Sequence, residues 1–362
     1  MKPHRQMENI RHMELIDFCK RPIIQAPMAG GATTPELVAA VSNAGGIGSL
    51  GAALLSPQVI RETVAKIRKL TQRAFMVNLF VLQTPQPMAD EVAEATELLK
   101  PVWEPLGWTS LPTPGKWCED FDAQFDALIE VKPEIASFTF GILTQEQVER
   151  LHAAHIFVIG TATNAAEARA WEAVGADAVC AQGVEAGGHR GTFIGAQDES
   201  PSTMVLVPMV VDAVSVPVIA AGGIMDGRGI AAAIALGAQA VQMGTAFLAT
   251  DESGIHPAYK ERLLEAANAP ARAVTRLTRA FSGRYARGLV NGFMEKMKDV
   301  EKQVPAYPIQ NALTGSIRAQ AGKINETELM SLWAGQGVGM TRAMPAARLM
   351  ETLVSEWQRA SI

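Results

Sequence analysis

Residues 156–182 read IFVIGTATNAAEARAWEAVGADAVCAQ and form one complete strand–helix–strand unit. An apolar run rich in β-branched residues predicts a buried strand at Ile156–Thr161. The Ala-rich stretch Asn164–Val174 predicts a helix that ends at Gly175, and a second apolar run predicts another strand at Ala178–Ala181. Because strands joined through helices are typical of parallel sheets, this stretch predicts an α/β fold.

The same alternation extends over about the first 250 residues. A capping residue followed by proline marks two helix starts, at Thr34-Pro35 and Ser56-Pro57. Further predicted helices are Gln58–Leu70, Thr144–His155 and Asp226–Leu236. The other predicted strands are Pro22–Ala26, Gly46–Ser49, Ala74–Phe80, Glu134–Phe140, Pro217–Ala221 and Ala240–Gly244. Eight such strands favour closure into a (β/α)₈ TIM barrel over an open sheet.

Two regions depart from this alternation. The segment of about residues 83–120 is rich in proline and tryptophan, which predicts an ordered insertion in a barrel of residues 1–250. Residues 251–362 predict a smaller, mostly helical substrate domain packed at the barrel mouth. Its predicted helical segments are His256–Asn268, Ala271–Asp299 with interruptions, Asn325–Trp333 and Pro345–Ala360.

The composition bounds the class of function. A net charge of −5 with 6% aromatic residues does not favour a nucleic acid or an anionic membrane as partner. The cysteines Cys19, Cys118 and Cys180 are too few and too widely spaced for a disulfide framework, and no residues show metal-ligand spacing. Residues 1–20 contain no apolar leader, so a cytoplasmic location is expected. The sequence does not indicate an oligomeric state.

Active sites of such barrels lie at the carboxyl ends of the strands. The most informative loop follows the sixth predicted strand and reads Gln182-Gly-Val-Glu185-Ala-Gly187-Gly188-His189-Arg190-Gly191. Histidine is suited to proton transfer near neutral pH, so His189 is the first candidate for chemistry. The pattern leaves the roles of Glu185 and Arg190 open.

Other strand ends carry glycines that allow close approach of a ligand, although ordinary turns would also use them. One such run is Ala26-Pro27-Met28-Ala29-Gly30-Gly31. Asn78, at the end of the third strand, either contacts a ligand or is a satisfied structural amide. Gly222-Gly223 and Gln242-Met243-Gly244-Thr245 end the last two strands, where barrels of this kind frequently bind phosphate on backbone N–H groups.

Together these motifs resemble class I nitronate monooxygenases, formerly called 2-nitropropane dioxygenases. The resemblance extends to Ser137-Phe-Thr-Phe-Gly141, Tyr307-Pro-Ile-Gln-Asn-Ala-Leu-Thr314 and Leu332-Trp-Ala-Gly-Gln336. It implies non-covalent FMN. The implied FMN contacts are Ala26, Pro27, Met28, Asn78, Gln182, Gly187, Gly222, Gly223, Gln242, Met243, Gly244 and Thr245.

The resemblance also implies an activity. Alkyl nitronates such as propionate 3-nitronate would be oxidised by O₂ to a carbonyl compound plus nitrite or nitrate, through an anionic flavin semiquinone. His189 would bind the nitronate or take a proton from a neutral nitroalkane. Tyr307 would hydrogen-bond the substrate, unless it is a packing residue with a satisfied hydroxyl. Nitronate detoxification is the role that the family suggests.

Two other interpretations fit parts of the sequence. An FMN-dependent enoyl-[acyl-carrier-protein] reductase using NAD(P)H would share the barrel and a similar histidine loop. Arg190, the Tyr307–Thr314 segment and the long C-terminal region favour the nitronate interpretation. A flavin-binding scaffold without chemistry is the third possibility, and the intact His189 argues against it.

Overall fold

A computed structural model describes residues 14–361 of the chain. Eight parallel strands form the main sheet. Their order is Ile23–Gln25, Ala240–Met243, Val218–Ala221, Ala178–Gln182, Phe157–Ala162, Ile135–Thr139, Phe75–Phe80 and Gly48–Gly51. A bridge between Ile24 and Ile47 joins the two ends of the sheet. The predicted TIM barrel is therefore confirmed. The expectation that residues 1–20 hold no leader rests partly on residues 1–13, which lie outside the described residues. The strands are β1 Ile23–Gln25, β2 Gly48–Gly51, β3 Phe75–Phe80, β4 Ile135–Thr139, β5 Phe157–Ala162, β6 Ala178–Gln182, β7 Gly188–His189, β8 Val218–Ala221, β9 Ala240–Met243, β10 Thr275–Thr278 and β11 Ala286–Leu289.

Helices follow the barrel strands and cover the barrel. The two capping residues predicted from the sequence act as expected, because the Thr34 and Ser56 side chains accept hydrogen bonds from the Leu37 and Val59 backbone N–H groups. Asn164 and Asp226, at the starts of two other predicted helices, cap them in the same way. The helices are α1 Pro35–Asn43, α2 Pro57–Leu70, α3 Ala89–Leu98, α4 Lys100–Trp103, α5 Phe121–Val131, α6 Gln145–Ala153, α7 Ala165–Ala173, α8 Thr203–Val211, α9 Gly227–Ala235, α10 Thr245–Leu248, α11 Pro257–Asn268, α12 Gly292–Met297, α13 Ile309–Leu313, α14 Gly315–Lys323 and α15 Ala346–Ala360.

A second, three-stranded antiparallel sheet has the order β10-β11-β7. The helix predicted over Ala271–Asp299 is therefore wrong except for α12. Four-residue strands are too short to show a period of two, and their partners lie far along the chain, so local pattern does not detect them. The helix predicted over Asn325–Trp333 is also wrong, because only the 3₁₀ turn Thr327–Leu329 forms there.

The C-terminal region packs in two places. Leu99, Val102 and Trp103 of the ordered 83–120 segment share one buried cluster with Phe281 and Phe293. The last helix, α15, packs instead on α9 and α1 outside the barrel. Division of the chain into residues 1–250 and 251–362 stays a prediction. Within residues 14–361, no helix has both the length and the apolar character needed to cross a membrane.

Candidate active site

A cavity of about 440 Å³ lies at the carboxyl ends of the barrel strands and beneath the C-terminal region. Every site residue predicted from the sequence borders it, and the structure thus brings together residues from distant parts of the chain. These residues are Ala26, Pro27, Met28, Asn78, Gln182, Gly187, His189, Gly222, Gly223, Gln242, Met243, Gly244, Thr245 and Tyr307. Their individual roles stay predictions.

The second sheet holds His189 in place. His189 pairs with Ala286 across β7 and β11, and the next backbone N–H, that of Arg190, donates to the Tyr285 carbonyl at 2.8 Å. The loop that follows β6 is therefore fixed by a segment almost a hundred residues further along the chain. This pairing gives the imidazole a defined direction into the cavity.

A short hydrogen-bond chain sets the tautomer of His189. The Arg284 carbonyl lies 3.1 Å from Ser282 Oγ, and a carbonyl can only accept, so the hydroxyl donates to it. His189 Nε2 lies 2.8 Å from the same Oγ and must then donate its N–H. This assignment leaves Nδ1 unprotonated, with no donor to it among the residues of the described chain.

The surroundings keep His189 neutral. Burial, followed by the nearby Arg284 and Arg318 guanidinium groups, lowers the pKa of His189 from its usual range to about 3. Neutral imidazole then predominates at physiological pH. It can accept a hydrogen bond or a proton at Nδ1 and carries no charge of its own.

Aromatic rings enclose the imidazole. The ring centroids of Phe140, Tyr307 and Trp333 lie 5.5, 5.6 and 5.4 Å from that of His189. Phe140 stacks on Phe80 at 4.0 Å and has a left-handed backbone, with φ of +80°. A left-handed phenylalanine is strained, and such residues cluster at functional sites. Three aromatic rings therefore line the cavity beside His189.

Tyr307 lies beside this ring cluster. Burial raises the pKa of its phenol, and the neighbouring Arg318 opposes that shift only in part. The phenol therefore stays protonated, and its O–H can donate to an oxygen in the cavity. The ring packs against Phe140 and His189, but within residues 14–361 no hydrogen bond involves its hydroxyl, so the O–H is available to a ligand.

The glycine loops present backbone rather than side chains. Gly222 and Gly223 have φ of +116° and +72°, which side-chain-bearing residues rarely adopt. Their N–H groups, and that of Gly244, form no hydrogen bond to the described part of the chain. Thr245 Oγ1 accepts from Gly335 N at 2.9 Å, so its proton is still available. Four donors are thus left on one side of the cavity.

Two predicted amides divide their hydrogen bonds differently. Asn78 Nδ2 donates to the Ser137 carbonyl and hydroxyl at 3.1 and 3.0 Å, and its Oδ1 has no partner in residues 14–361. Both amide atoms of Gln182 instead bond the histidine loop: Nε2 donates to the His189 carbonyl and Oε1 accepts from Gly191 N. Gln182 therefore borders the cavity but mainly holds the loop.

Glu185 and Arg190, whose roles the sequence left open, both make contacts that hold the fold together. Glu185 accepts from the Thr203 backbone N and hydroxyl, which satisfies the start of α8. Arg190 is fully buried and donates to the carbonyls of Gln182 and Gly183. Both side chains hold the loop around His189 in place, and neither residue borders the cavity.

Several residues of the site were not found from the sequence. Ser282, Arg284 and Arg318 were not singled out, and Phe140 and Trp333 appeared only within motifs of the resemblance. Phe140 follows β4 directly, at a strand end, but the other four do not follow a barrel strand. They reach His189 through tertiary packing, which leaves no local signal.

Comparisons with known proteins identify the family of the chain. The sequence profile described as nitronate monooxygenase matches residues 12–356. A probable nitronate monooxygenase of Staphylococcus aureus (strain Newman) is 42% identical over 337 residues, covering 92% of this chain and 94% of the relative.

Solved structures extend the comparison. Nitroalkane oxidase from Streptomyces ansochromogenes is 43% identical, with a TM-score of 0.87 and coverage of 96% of this chain and 98% of that one. FabK from Thermotoga maritima is 32% identical, with a TM-score of 0.74 and coverage of 95% and 96%. On these grounds the chain belongs to the nitronate monooxygenase family, a family of flavoprotein oxidoreductases.

Proposed function

We propose that this protein is an FMN-dependent nitronate monooxygenase. It oxidises alkyl nitronates such as propionate 3-nitronate with O₂ to a carbonyl compound plus nitrite or nitrate. The observation that carries the proposal is a neutral His189 whose free Nδ1 faces an apolar, aromatic-walled cavity. Family membership supplies the reaction type, and the cavity supplies the residues.

The residues present fit a flavin mononucleotide. The unused N–H groups of Gly222, Gly223 and Gly244 offer donors for a phosphate. The free Asn78 Oδ1 offers an acceptor for a flavin ring N–H. Gly187 packs so tightly that a Cβ there would lie 2.5 Å from Gly335 N, which keeps the cavity wall backbone-lined.

The protein's own groups have separable tasks in this proposal. When bound, FMN would supply the redox chemistry between the nitronate and O₂. With a neutral nitroalkane, His189 takes the substrate proton at Nδ1. With a nitronate, which has no N–H or O–H to donate, the neutral imidazole lines the cavity without adding a charge. Tyr307 donates its O–H to a nitro oxygen. Phe140 and Trp333 exclude water from the reacting atoms.

The test uses the purified protein. We expect a yellow protein that releases FMN on denaturation. With propionate 3-nitronate under air and no NADH, we expect oxygen uptake and nitrite formation. A protein that turns over only enoyl thioesters, and only with NADH, would contradict the proposal. A colourless protein that FMN does not reconstitute would contradict the cofactor assignment.

A further inference from the structure

Arg318 is the only lysine, arginine, aspartate or glutamate among the described residues that border the cavity. The rest of the lining is apolar, aromatic, glycine or neutral polar. The cavity therefore contains a cation and no carboxylate to balance it.

The hydrogen bonds of Arg318 leave donors unused. Its Nη2 donates to the carbonyl and Oδ1 of Asn311 at 2.7 and 3.0 Å, and its buried Nε has no acceptor. No carboxylate within residues 14–361 forms an ion pair with it. Other arginines in the same C-terminal region do have acidic partners: Arg262–Glu328, Arg276–Glu295 and Arg342–Glu356 pair at 2.7, 3.0 and 2.7 Å.

An unpaired cation in such a site is costly. Removing a guanidinium from water without a counter-ion costs several kcal/mol. Burial lowers the pKa of Arg318, yet arginine starts so high that it stays charged. A group kept at this cost is best explained by an anion that arrives with the ligand.

The two neighbouring arginines do not supply the same donors. Arg190 donates to the Gln182 and Gly183 carbonyls, and Arg284 Nε donates to the Arg190 carbonyl at 2.8 Å. Both add positive potential. Arg190 Nε, like Arg318 Nε, has no acceptor, but neither Arg190 nor Arg284 borders the cavity. Of these three arginines, Arg318 is therefore the one whose donors are placed to meet a ligand in the cavity.

The position of Arg318 points to the substrate rather than to the cofactor phosphate. Its Nη2 bonds Asn311, which borders the cavity together with Tyr307, so Arg318 lies on the Tyr307 side. Its charge also lowers the pKa of His189. The unused donors proposed for phosphate belong instead to the loops at Gly222, Gly223 and Gly244. The anion that Arg318 meets is therefore next to His189.

We propose that Arg318 binds the planar oxyanion of the substrate, so that the site selects nitronate anions over neutral nitroalkanes of the same length. This inference rests on the proposed function for the identity of the substrate. A guanidinium matches a planar two-oxygen anion through two parallel N–H bonds, and nitronate, nitrite and nitrate all have that shape. The inorganic anions should bind at the same place and compete with substrate.

The first experiment needs no turnover. Sodium nitrate is titrated by calorimetry into the flavin-loaded wild type, Arg318→Gln, Arg318→Lys and Lys323→Gln. Lys323 is an exposed cation on the same helix and is the matched control. Because hydrogen bonds to charged groups contribute about 1.5–3 kcal/mol, we expect nitrate affinity to fall about 10- to 100-fold in Arg318→Gln. Lys323→Gln should match the wild type.

The second variant guards against loss of folding. If Arg318→Gln does not fold, Arg318→Lys is the test variant. An ammonium group cannot form two parallel hydrogen bonds with a planar anion, so the nitrate affinity of Arg318→Lys should fall several-fold. Unchanged nitrate affinity in whichever variant folds would overturn the proposal.

Kinetics then test the selectivity. In Arg318→Gln the KM for propyl nitronate should rise by about the same factor while kcat changes little, and kcat/KM for neutral 1-nitropropane should stay within about threefold of wild type. Equal losses on both substrates would contradict selection by charge. The wild type could fail to turn over nitronate while Arg318→Gln still lowers the nitrate affinity. In that case the proposed function is wrong and the oxyanion site is supported.

Discussion

The two sides of the cavity are built from different materials. The barrel side presents backbone N–H groups from glycine loops, such as Gly222, Gly223 and Gly244, and carries no charge. The C-terminal side presents the side chains of Tyr307, Arg318 and Trp333, and Ser282 lies behind His189. Backbone donors suit a phosphate that is the same in every turnover, whereas side chains can be varied to suit a substrate.

The barrel side of the cavity is proposed to bind the cofactor, and the C-terminal side is proposed to bind the substrate. Changes on the barrel side should lower flavin affinity, whereas changes on the C-terminal side should lower turnover or substrate affinity and leave flavin bound. His189 joins the two sides, because it follows a barrel strand and pairs with β11.

The largest effect is expected for His189→Asn. Loss of a positioned acid–base group typically costs about 10²- to 10⁴-fold in rate, so kcat/KM for neutral 1-nitropropane should fall within that range with flavin content unchanged. Steady-state oxygen uptake measures the loss. His155→Asn is the control, because His155 is exposed and its φ of +61° is one that asparagine tolerates. Retention of full activity in His189→Asn would remove it from the reaction.

Gly244→Val should weaken flavin binding. A Cβ at Gly244 would meet Ala26 Cβ at 3.5 Å, an ordinary contact, so the fold should tolerate the change while the valine methyls enter the proposed phosphate site. We expect about a tenfold or greater rise in the FMN dissociation constant, measured by fluorescence quenching. Gly115→Val is the control, since a Cβ there meets nothing within 4 Å. Tight flavin binding in Gly244→Val would move the phosphate elsewhere.

Ser282→Ala should act on the histidine tautomer. Without the hydroxyl, His189 Nε2–H loses its acceptor, and a buried neutral hydrogen bond is worth about 1 kcal/mol. We expect turnover to fall about five- to tenfold with flavin retained, and imidazole ¹⁵N chemical shifts to change from a single Nε2–H tautomer toward a mixture. Ser110→Ala, at an exposed loop position, is the control. Identical ¹⁵N spectra in Ser282→Ala and wild type would refute the hydrogen-bond chain.

The smallest effect concerns stability against pH. The pKa of His189 is about 3 in the folded protein and about 6.5 when unfolded, so only the unfolded chain takes up this proton between those values. Its contribution to folding is complete above about pH 6.5 and is lost as the pH falls toward 3. Between about pH 7 and 5.5 the wild type should lose about 1 kcal/mol more than His189→Asn in chemical denaturation. Parallel pH curves for the two proteins would show that His189 is not held neutral.

The sequence predicted the barrel side well, because each of its signals is local. Runs such as Ile156–Thr161 and caps such as Asn164 define strands and helices within a few residues, and Gly222-Gly223 directly follows its strand. The C-terminal side was predicted poorly. Ser282 and Arg284 acquire their meaning only when β11 pairs with β7, a contact between segments that no local period encodes.

Anaerobic mixing of the flavin-loaded protein with propionate 3-nitronate or, separately, with NADH shows which of the two compounds reduces the flavin. The flavin absorbance reports the reduction. We predict that the nitronate alone bleaches the oxidised flavin band within the turnover time, that admission of O₂ restores the band with release of nitrite, and that NADH leaves the band unchanged. Rapid bleaching by NADH with no response to the nitronate would contradict the account.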